Sequence, residues 1–326
     1  SAFRMNMCLY HGLRYDAASL EPAARDFVIE PDTELAPRGL KAKWTANLRA
    51  IELLRTLESE DRNATPEEKL ELAAYTGWGW AGEYFNPKNE RYTAQFKQLK
   101  ALLSEEEFAA ARRSTQNAHF TAPEVISSIW KGVERLGFNG GRVLEPAGGI
   151  GHFFGLMPTD VRAQSDLMGI ELDSLSARLF TKLYPNATVG NHGFEENSIP
   201  NNSVDLAISN VPFGDYNVFD KNPEYRKLFI HDYFFTKALD SVKPGGLVAF
   251  VTSSGTMQKL DSKVRKHLAG KADLVGAIRL PNNAFAENAG TEVTTDIIFL
   301  RKKAAIPYAG QSWEQVQQQG NETYTK

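Results

Sequence analysis

Cysteine is almost absent from this chain. Cys8 is the only one in 326 residues, which excludes an intramolecular disulfide and any metal centre built on several thiolates. A single free thiol fits a reducing compartment, so a cytoplasmic location is expected. Apolar runs long enough to span a bilayer are missing, as is a secretory signal, and no membrane partner is expected. Net charge is small as well, -3 at pH 7. A surface for a polyanion must therefore be a local basic patch on a mildly acidic protein. No internal repeat occurs. The apolar share, 42%, is ordinary, so a full core is available for one large domain with an appendage or for two domains. The chain starts at Ser1 and runs into a polar end, and it reads as a segment of something longer.

Residues 1 to about 36 mix Pro, charge and scattered aromatics without a period, and are expected to be irregular and packed against the body. From Lys41, Trp44, Leu48, Ile51, Leu54 and Leu57 recur at helical spacing. Thr65-Pro66-Glu67-Glu68 reads as a capped helix start, a further helix spans about Asn89 to Leu103, and Ser104-Glu105-Glu106-Glu107 opens another. The pattern changes near Asn117. Short apolar runs (Val143–Leu144, Leu167–Leu172, Val204–Ile208, Leu247–Thr252, Leu274–Leu280, Ile297–Leu300) alternate with helical stretches at 123–135, 173–183, 229–241 and 260–268. This alternation predicts an α/β fold with a parallel, doubly wound, Rossmann-like sheet behind a helical N-terminal region. The last two runs are placed as an antiparallel pair at one sheet edge.

Three stretches carry chemistry. The run from Val204 to Ser209 is an apolar strand that stops at Asn210, followed by Val211, Pro212 and Phe213. Proline cannot continue a ladder, so an amide, a free carbonyl and a flat ring gather around one pocket suited to a planar group with an exocyclic amine. The first strand ends in Glu145-Pro146-Ala147-Gly148-Gly149-Ile150-Gly151. That is a turn through which backbone can approach a ligand, yet it lacks the G-x-G-x-x-G spacing, and the acid disfavours a pyrophosphate. The second strand ends at Glu171, placed to accept from both hydroxyls of a ribose, with Asp173 as the cap of the next helix. Upstream, Phe120-Thr121-Ala122-Pro123 leads into a helix, with Thr121 either its N-cap or part of a loop over the ligand.

Phe-Thr-x-Pro, Glu-Pro-x-x-Gly-x-Gly, Gly-Ile-Glu-x-Asp and Asn-x-Pro-Phe, in that order, resemble the S-adenosylmethionine-dependent adenine DNA methyltransferases. Asn-Val-Pro-Phe-Gly-Asp-Tyr, His231-Asp232-Tyr233-Phe234-Phe235 and Tyr75-Thr76-Gly77-Trp78-Gly79 resemble more narrowly the methylase region of phage and plasmid helicase–methylase fusions. The resemblance implies that Asn210 and the Val211 carbonyl accept from the target amine, with Pro212 shaping the turn. It implies that Phe213 stacks on a flipped-out adenine, joined by Phe285 as a second aromatic. Thr121 and Glu145 would meet the methionine end of S-adenosylmethionine, Ala147, Gly149 and Gly151 its backbone-contact turn, Glu171 its ribose and Phe194 its adenine. No metal is implied. DNA is the implied partner, with a helicase region of a longer polypeptide or a separate target-recognition subunit. The implied division is a helical region over 1–115, a methyltransferase domain over 116–305 and a polar tail over 306–326.

Two departures stand out. Val211 occupies a position where the family usually has Pro, and Gly193 one where it tends to carry an acid, so Glu195 or Asn191 is expected to reach the cofactor's adenine amine. Cytosine methylation at ring carbon needs a Pro-Cys nucleophile, and Cys8 lies in Asn6-Met7-Cys8-Leu9, which excludes it. Two alternatives stay open: a catalytically weak DNA-binding or assembly module, and a glutamine-amide methyltransferase. The basic runs Lys263-Val264-Arg265-Lys266 and Arg301-Lys302-Lys303 are candidate phosphate contacts or solvated faces, and Trp78 and Trp80 candidate base-stacking or core residues.

Overall fold

The structure is a computed structural model that describes residues 20–31, 33, 35, 37–115, 120–214, 216–281 and 294–304, and the backbone of 316–319 and 322–325. Four helices come first: α1 (Leu40–Ser59), α2 (Pro66–Ala73), α3 (Thr93–Leu102) and α4 (Glu105–Ser114). The apolar stripe of α1 buries Leu48, Ile51, Leu54 and Leu57 as its spacing requires. Both expected caps form as reciprocal capping boxes. The Glu68 amide donates to Thr65 Oγ1 and the Thr65 amide to Glu68 Oε2 (3.3 and 2.8 Å), and Ser104 and Glu107 repeat the pair at 3.1 and 2.8 Å. Each is worth about 1 kcal/mol. The expected helix from Asn89 starts late, because Asn89 caps a short 3-10 turn over Glu90–Tyr92 before α3 begins.

The remainder alternates as α5 (Pro123–Arg135), β1 (Gly141–Glu145), α6 (His152–Gly155), α7 (Thr159–Arg162), β2 (Ser165–Glu171), α8 (Ser174–Leu183), β3 (Thr188–Asn191), β4 (Val204–Asn210), α9 (Ile230–Ser241), β5 (Val242–Ser253), α10 (Gly255–Gln258), α11 (Lys263–Lys271), β6 (Ala272–Arg279) and β7 (Thr295–Lys302). A separate antiparallel hairpin, β8 (Val316–Gln319) and β9 (Glu322–Thr325), follows. The main sheet has the order β3-β2-β1-β4-β5-β7-β6. β1 to β5 pair in parallel, and β7 runs antiparallel between β5 and β6. The predicted antiparallel edge pair is therefore present. Strand β3 went unpredicted because Thr188-Val189-Gly190-Asn191 offers one apolar side chain and forms the far edge.

Period-two alternation divides the core into two layers. Val143, Leu206, Ile208, Ala249, Val251, Ile297 and Phe299 face the cluster shared with α1, α2, α5 and α8. Leu144, Ala207, Val248, Phe250, Ile298 and Leu300 face α9 and α11. The N-terminal helices and the sheet thus share one apolar layer. An ion-pair web reinforces the junction, with Arg178 of α8 reaching Glu58 of α1 and Glu107 of α4, each at 2.6 Å. Most of the segment before α1, residues 1–19 with 32, 34 and 36, lies outside the described residues. In the rest, Pro22–Ala24 form a short 3-10 turn, and Phe27 and Ile29 are buried, their amides donating to the Leu183 and Gly155 carbonyls. No helix among the described residues is long and apolar enough to cross a membrane.

Candidate active site

In an open parallel sheet the loops leaving the strands diverge where successive connections run in opposite directions, and a crevice opens there. Here that point lies between β1 and β4. A cleft of about 1010 Å³ opens at it, lined among others by Thr121, Glu145, Ala147, Gly149, Glu171 and Phe194, and by Asn210, Val211, Pro212 and Phe213.

The turn after β1 is shaped by one ring. Phe180 of α8 lies where side chains at Gly148, Gly151 and Gly169 would project, with ideal Cβ positions 2.3, 2.4 and 2.5 Å from it. Those glycines let α8 press against the turn. Gly149 differs: at φ +56° its Cβ position has only Phe120 near, at 4.0 Å, and it faces the cleft. Gly151 does not line the cleft. Its φ of +86° and the Phe180 and Tyr184 rings account for the glycine there on packing grounds.

Two carboxyls stand at the strand ends. Glu145 is 1% exposed, and its Oε2 has no hydrogen-bond partner among the described residues. Burial, then the charge of Glu171, raises it well above the ordinary 4.5. Glu171 accepts from the Gly149 amide through Oε2 and from the Asp173 amide through Oε1, both at 2.7 Å. Burial pushes it up to about 7 against the pull of those amides. Asp173 caps α8 as expected, accepting from the Ser176 amide at 2.9 Å. A buried, unpartnered carboxyl beside a second acid suits a ligand that brings an ammonium and hydroxyl donors.

At the other end of the cleft, β4 stops at Asn210. The Val211 amide still donates to Val251 of β5 (3.1 Å), and Ser209 Oγ donates to the Ala147 carbonyl (3.0 Å), tying this strand end to the turn after β1. Val211 is 1% exposed, its side chain within the core layer under α9. The loop that follows is anchored at Asp220, which is buried and accepts from Tyr233 Oη (2.8 Å), Lys237 Nζ (2.6 Å) and the Asn222 amide (2.8 Å). Lys237 also lies 5.4 Å from the Phe194 ring centre, and Phe234 stands 5.2 Å from the same ring. At Gly193, the position of the missing acid, an ideal Cβ would lie 2.2 Å from Glu195 Oε1, so the Glu195 carboxyl fills the space a longer side chain would enter. Asn191 is engaged elsewhere, donating to the Glu171 and Leu172 carbonyls at 3.0 and 3.2 Å.

A profile of the N-6 DNA methylase family matches residues 102–318, more than half of the chain. The chain belongs to the N-6 DNA methylase family. The family uses S-adenosylmethionine. A curated relative, the defense against restriction protein B of Escherichia phage P1, is 28% identical over 270 residues, covering 80% of this chain and 10% of that protein. The chain thus spans about a tenth of the length of that relative. Among solved structures, the methyltransferase subunit of a type I restriction-modification system from Streptococcus thermophilus superposes with a TM-score of 0.51 at 15% identity, covering 84% of this chain and 68% of that one. The fold is the Rossmann-like fold of S-adenosylmethionine-dependent methyltransferases.

Within this methylase fold, the expected residues converge with named exceptions. Gly151 faces the core, and Phe285 lies outside the described residues. Thr121 is buried and lines the cleft, while the cap position of α5 belongs to Ala122, so Thr121 is not the cap. His231 is 5% exposed, a buried histidine with Nε2 3.6 Å from Asp232 Oδ1. The basic runs are largely engaged inside the fold: Arg265 is buried and donates to the Thr256 carbonyl (3.2 Å), and Arg301 to the Leu136 carbonyl (2.6 Å). Trp78 is 1% exposed, edge-on to Trp44 and Phe85 in the core.

Sequence reasoning missed one wall of the cleft. Tyr75, Gly77 and Gly79 line it from the helical region. Buried Asn47 holds that segment, donating to the Gly77 carbonyl (2.7 Å) and accepting from the Thr76 amide (2.8 Å) and hydroxyl (3.1 Å). The signal was present in α1, where an amide sits on the stripe of Trp44, Leu48 and Ile51.

Proposed function

We propose that this chain is an adenine-specific DNA methyltransferase that acts on the exocyclic amine of an adenine flipped out of the duplex. The observation that carries the reading is that Glu145, Glu171, Asn210 and Phe213, from the ends of β1, β2 and β4, meet in one cleft.

The residues fit S-adenosylmethionine. The orphaned Glu145 Oε2 suits an α-ammonium, the free lone pairs of Glu171 suit ribose hydroxyls, and the open face of Gly149 admits close backbone approach. Phe194 and the Glu195 carboxyl folded over Gly193 form the adenine end. Bound there, the cofactor supplies an electrophilic methyl on a sulfonium centre. Asn210 Oδ1 and the Val211 carbonyl accept hydrogen bonds from the two N–H groups of the target amine and so aim its nitrogen lone pair at the methyl group. Phe213 stacks on the base. Positioning and electrostatics then carry the rate, without a covalent enzyme intermediate. Val211 replaces a stiffer proline, but its amide bond to β5 and its buried side chain hold the carbonyl in place.

The working unit in this reading spans the helical region, 1–115, and the methyltransferase domain, 116–305. DNA is its partner, with target choice residing in a longer polypeptide that includes a helicase region or in a separate recognition subunit. The test is transfer of labelled methyl from S-adenosylmethionine to DNA, with Asn210→Ala as control and a glutamine-containing protein acceptor alongside. Incorporation into DNA that the substitution abolishes is expected. Equal incorporation by the variant, or transfer to protein alone, refutes the reading.

A further inference from the structure

We propose that the mouth of the cleft docks duplex DNA, with Phe219 entering the base stack in place of the extruded nucleotide and Lys100, Arg112 and Arg113 meeting the flanking phosphates. This rests on the DNA reading above.

Phe219 is 79% exposed, a large ring held in water at the rim of the cleft that also contains Phe213 and Asn210. A ring so placed in a loose loop would mean little. This one sits on a fixed base. Its neighbour Asp220 is locked to Tyr233 and Lys237, and the Ile230 amide donates to the Tyr216 carbonyl to close the loop. Arg226 donates from Nε to the Asp220 carbonyl (2.7 Å) and lays its guanidinium 4.7 Å from the centre of the Phe219 ring. The ring is therefore stiffened from one side while the rest stays in solvent, the arrangement an apolar wedge needs to replace an extruded base.

Beside the ring, the cleft runs into a second groove. Arg113 and Tyr216 line both cavities, and the groove continues along Lys100 and Arg112, with Glu105 the one acid on its lining. All three cations are exposed, and none forms an ion pair within the described residues. On a chain of net charge -3, this is a local basic strip adjoining the cleft where the reacting base would sit. Phosphates flanking a flipped nucleotide are the charge that complements it.

The two halves separate in one experiment. Anisotropy of a labelled mixed-sequence duplex would be followed for wild type, Phe219→Ala and the double variant R112E/R113E, between about 50 and 200 mM salt. The same proteins would be titrated with a duplex carrying adenines opposite cytosine. The double reversal is expected to weaken binding at least tenfold and to flatten the salt dependence by about two in logarithmic slope. F219A is expected to bind the paired duplex about tenfold more weakly, and the mismatched duplex within about threefold of wild type, because a mispaired base costs less to extrude. An F219A deficit that is absent, or equal on both duplexes, overturns the wedge. An unchanged salt slope in R112E/R113E overturns the phosphate strip. Binding is read without methyl transfer, so an inactive protein that still shows these differences would sink only the activity, while an active one lacking them would sink only this proposal.

Discussion

Replacing Glu145 by Gln should move stability and ligand affinity in opposite directions. The carboxyl is buried with Oε2 unpartnered, and burial together with Glu171 raises it well above 4.5. An acid whose pKa is higher folded than unfolded holds a proton that the unfolded chain releases. Stability is therefore full below the unfolded value and declines as pH rises through the folded one. Glu171 sets the scale: a rise from 4.5 to about 7 corresponds to roughly 3 kcal/mol withdrawn from the fold above neutrality. Gln keeps the shape and removes one titration. Without ligand, E145Q should unfold at the same temperature as wild type or higher at about pH 8, and the two should converge near about pH 4. With S-adenosylmethionine the order reverses, because the lost charge-assisted hydrogen bond to an ammonium is worth roughly 1.5–3 kcal/mol, about 10- to 150-fold in affinity. Wild type should also release protons on binding below neutrality, read by calorimetry in buffers of different ionisation heat. Thermal unfolding at both pH values, with and without ligand, decides the matter. An E145Q protein that is less stable at the higher pH yet binds normally would mean that this carboxylate serves the fold, and would refute the reasoning.

Asp220→Ala breaks a buried pair with Lys237 and should cost about 3–5 kcal/mol of local stability. Methyl transfer should fall while calorimetry shows cofactor affinity within about threefold of wild type; equal losses would mean that the anchor serves the whole cleft. Gly151→Ala drives a Cβ to within 2.6 Å of Phe180 and Tyr184 at φ +86°, and urea unfolding should register a loss of at least about 2 kcal/mol. Gly149→Ala has open space and should lose mainly the left-handed penalty of about 1 kcal/mol, with cofactor binding more affected than the midpoint. Asn47→Ala leaves the Thr76 amide and Gly77 carbonyl unpaired in a buried site. It should destabilise by roughly 2–4 kcal/mol and weaken cofactor binding at temperatures where the fold persists.

Much of the fold was legible in the sequence because the parallel strands are buried on both faces and their runs are nearly pure apolar. Val204 to Ile208 and Leu247 to Thr252 announce themselves in this way. Strand β3 did not, since an edge strand with one apolar side chain is held by its ladder to β2 and not by a hydrophobic face. At the site, Glu145, Glu171 and Asn210 could be read because each is a polar residue closing an apolar strand, a position that packing alone does not favour. Gly151 has a packing role that the sequence does not display. A glycine demanded by a ring from α8 looks in sequence like one demanded by a ligand, and only the Phe180 contact separates them. The Tyr75–Gly79 stretch was legible as a motif but not as a wall of the cleft, because its long-range placement through Asn47 leaves no local period.

That wall has a temporal meaning. Asn47 and the Tyr75–Gly79 segment are synthesised well before Asn210 and Phe213, and neither half encloses the cleft alone. A nascent chain acquires its pocket only when the later strands dock on the earlier helices. Any molecule held there then bridges segments that entered the fold at different times. Cofactor occupancy becomes a report of completed assembly, and the earliest-made part of the chain shares in the energy that the last-made part gains on binding.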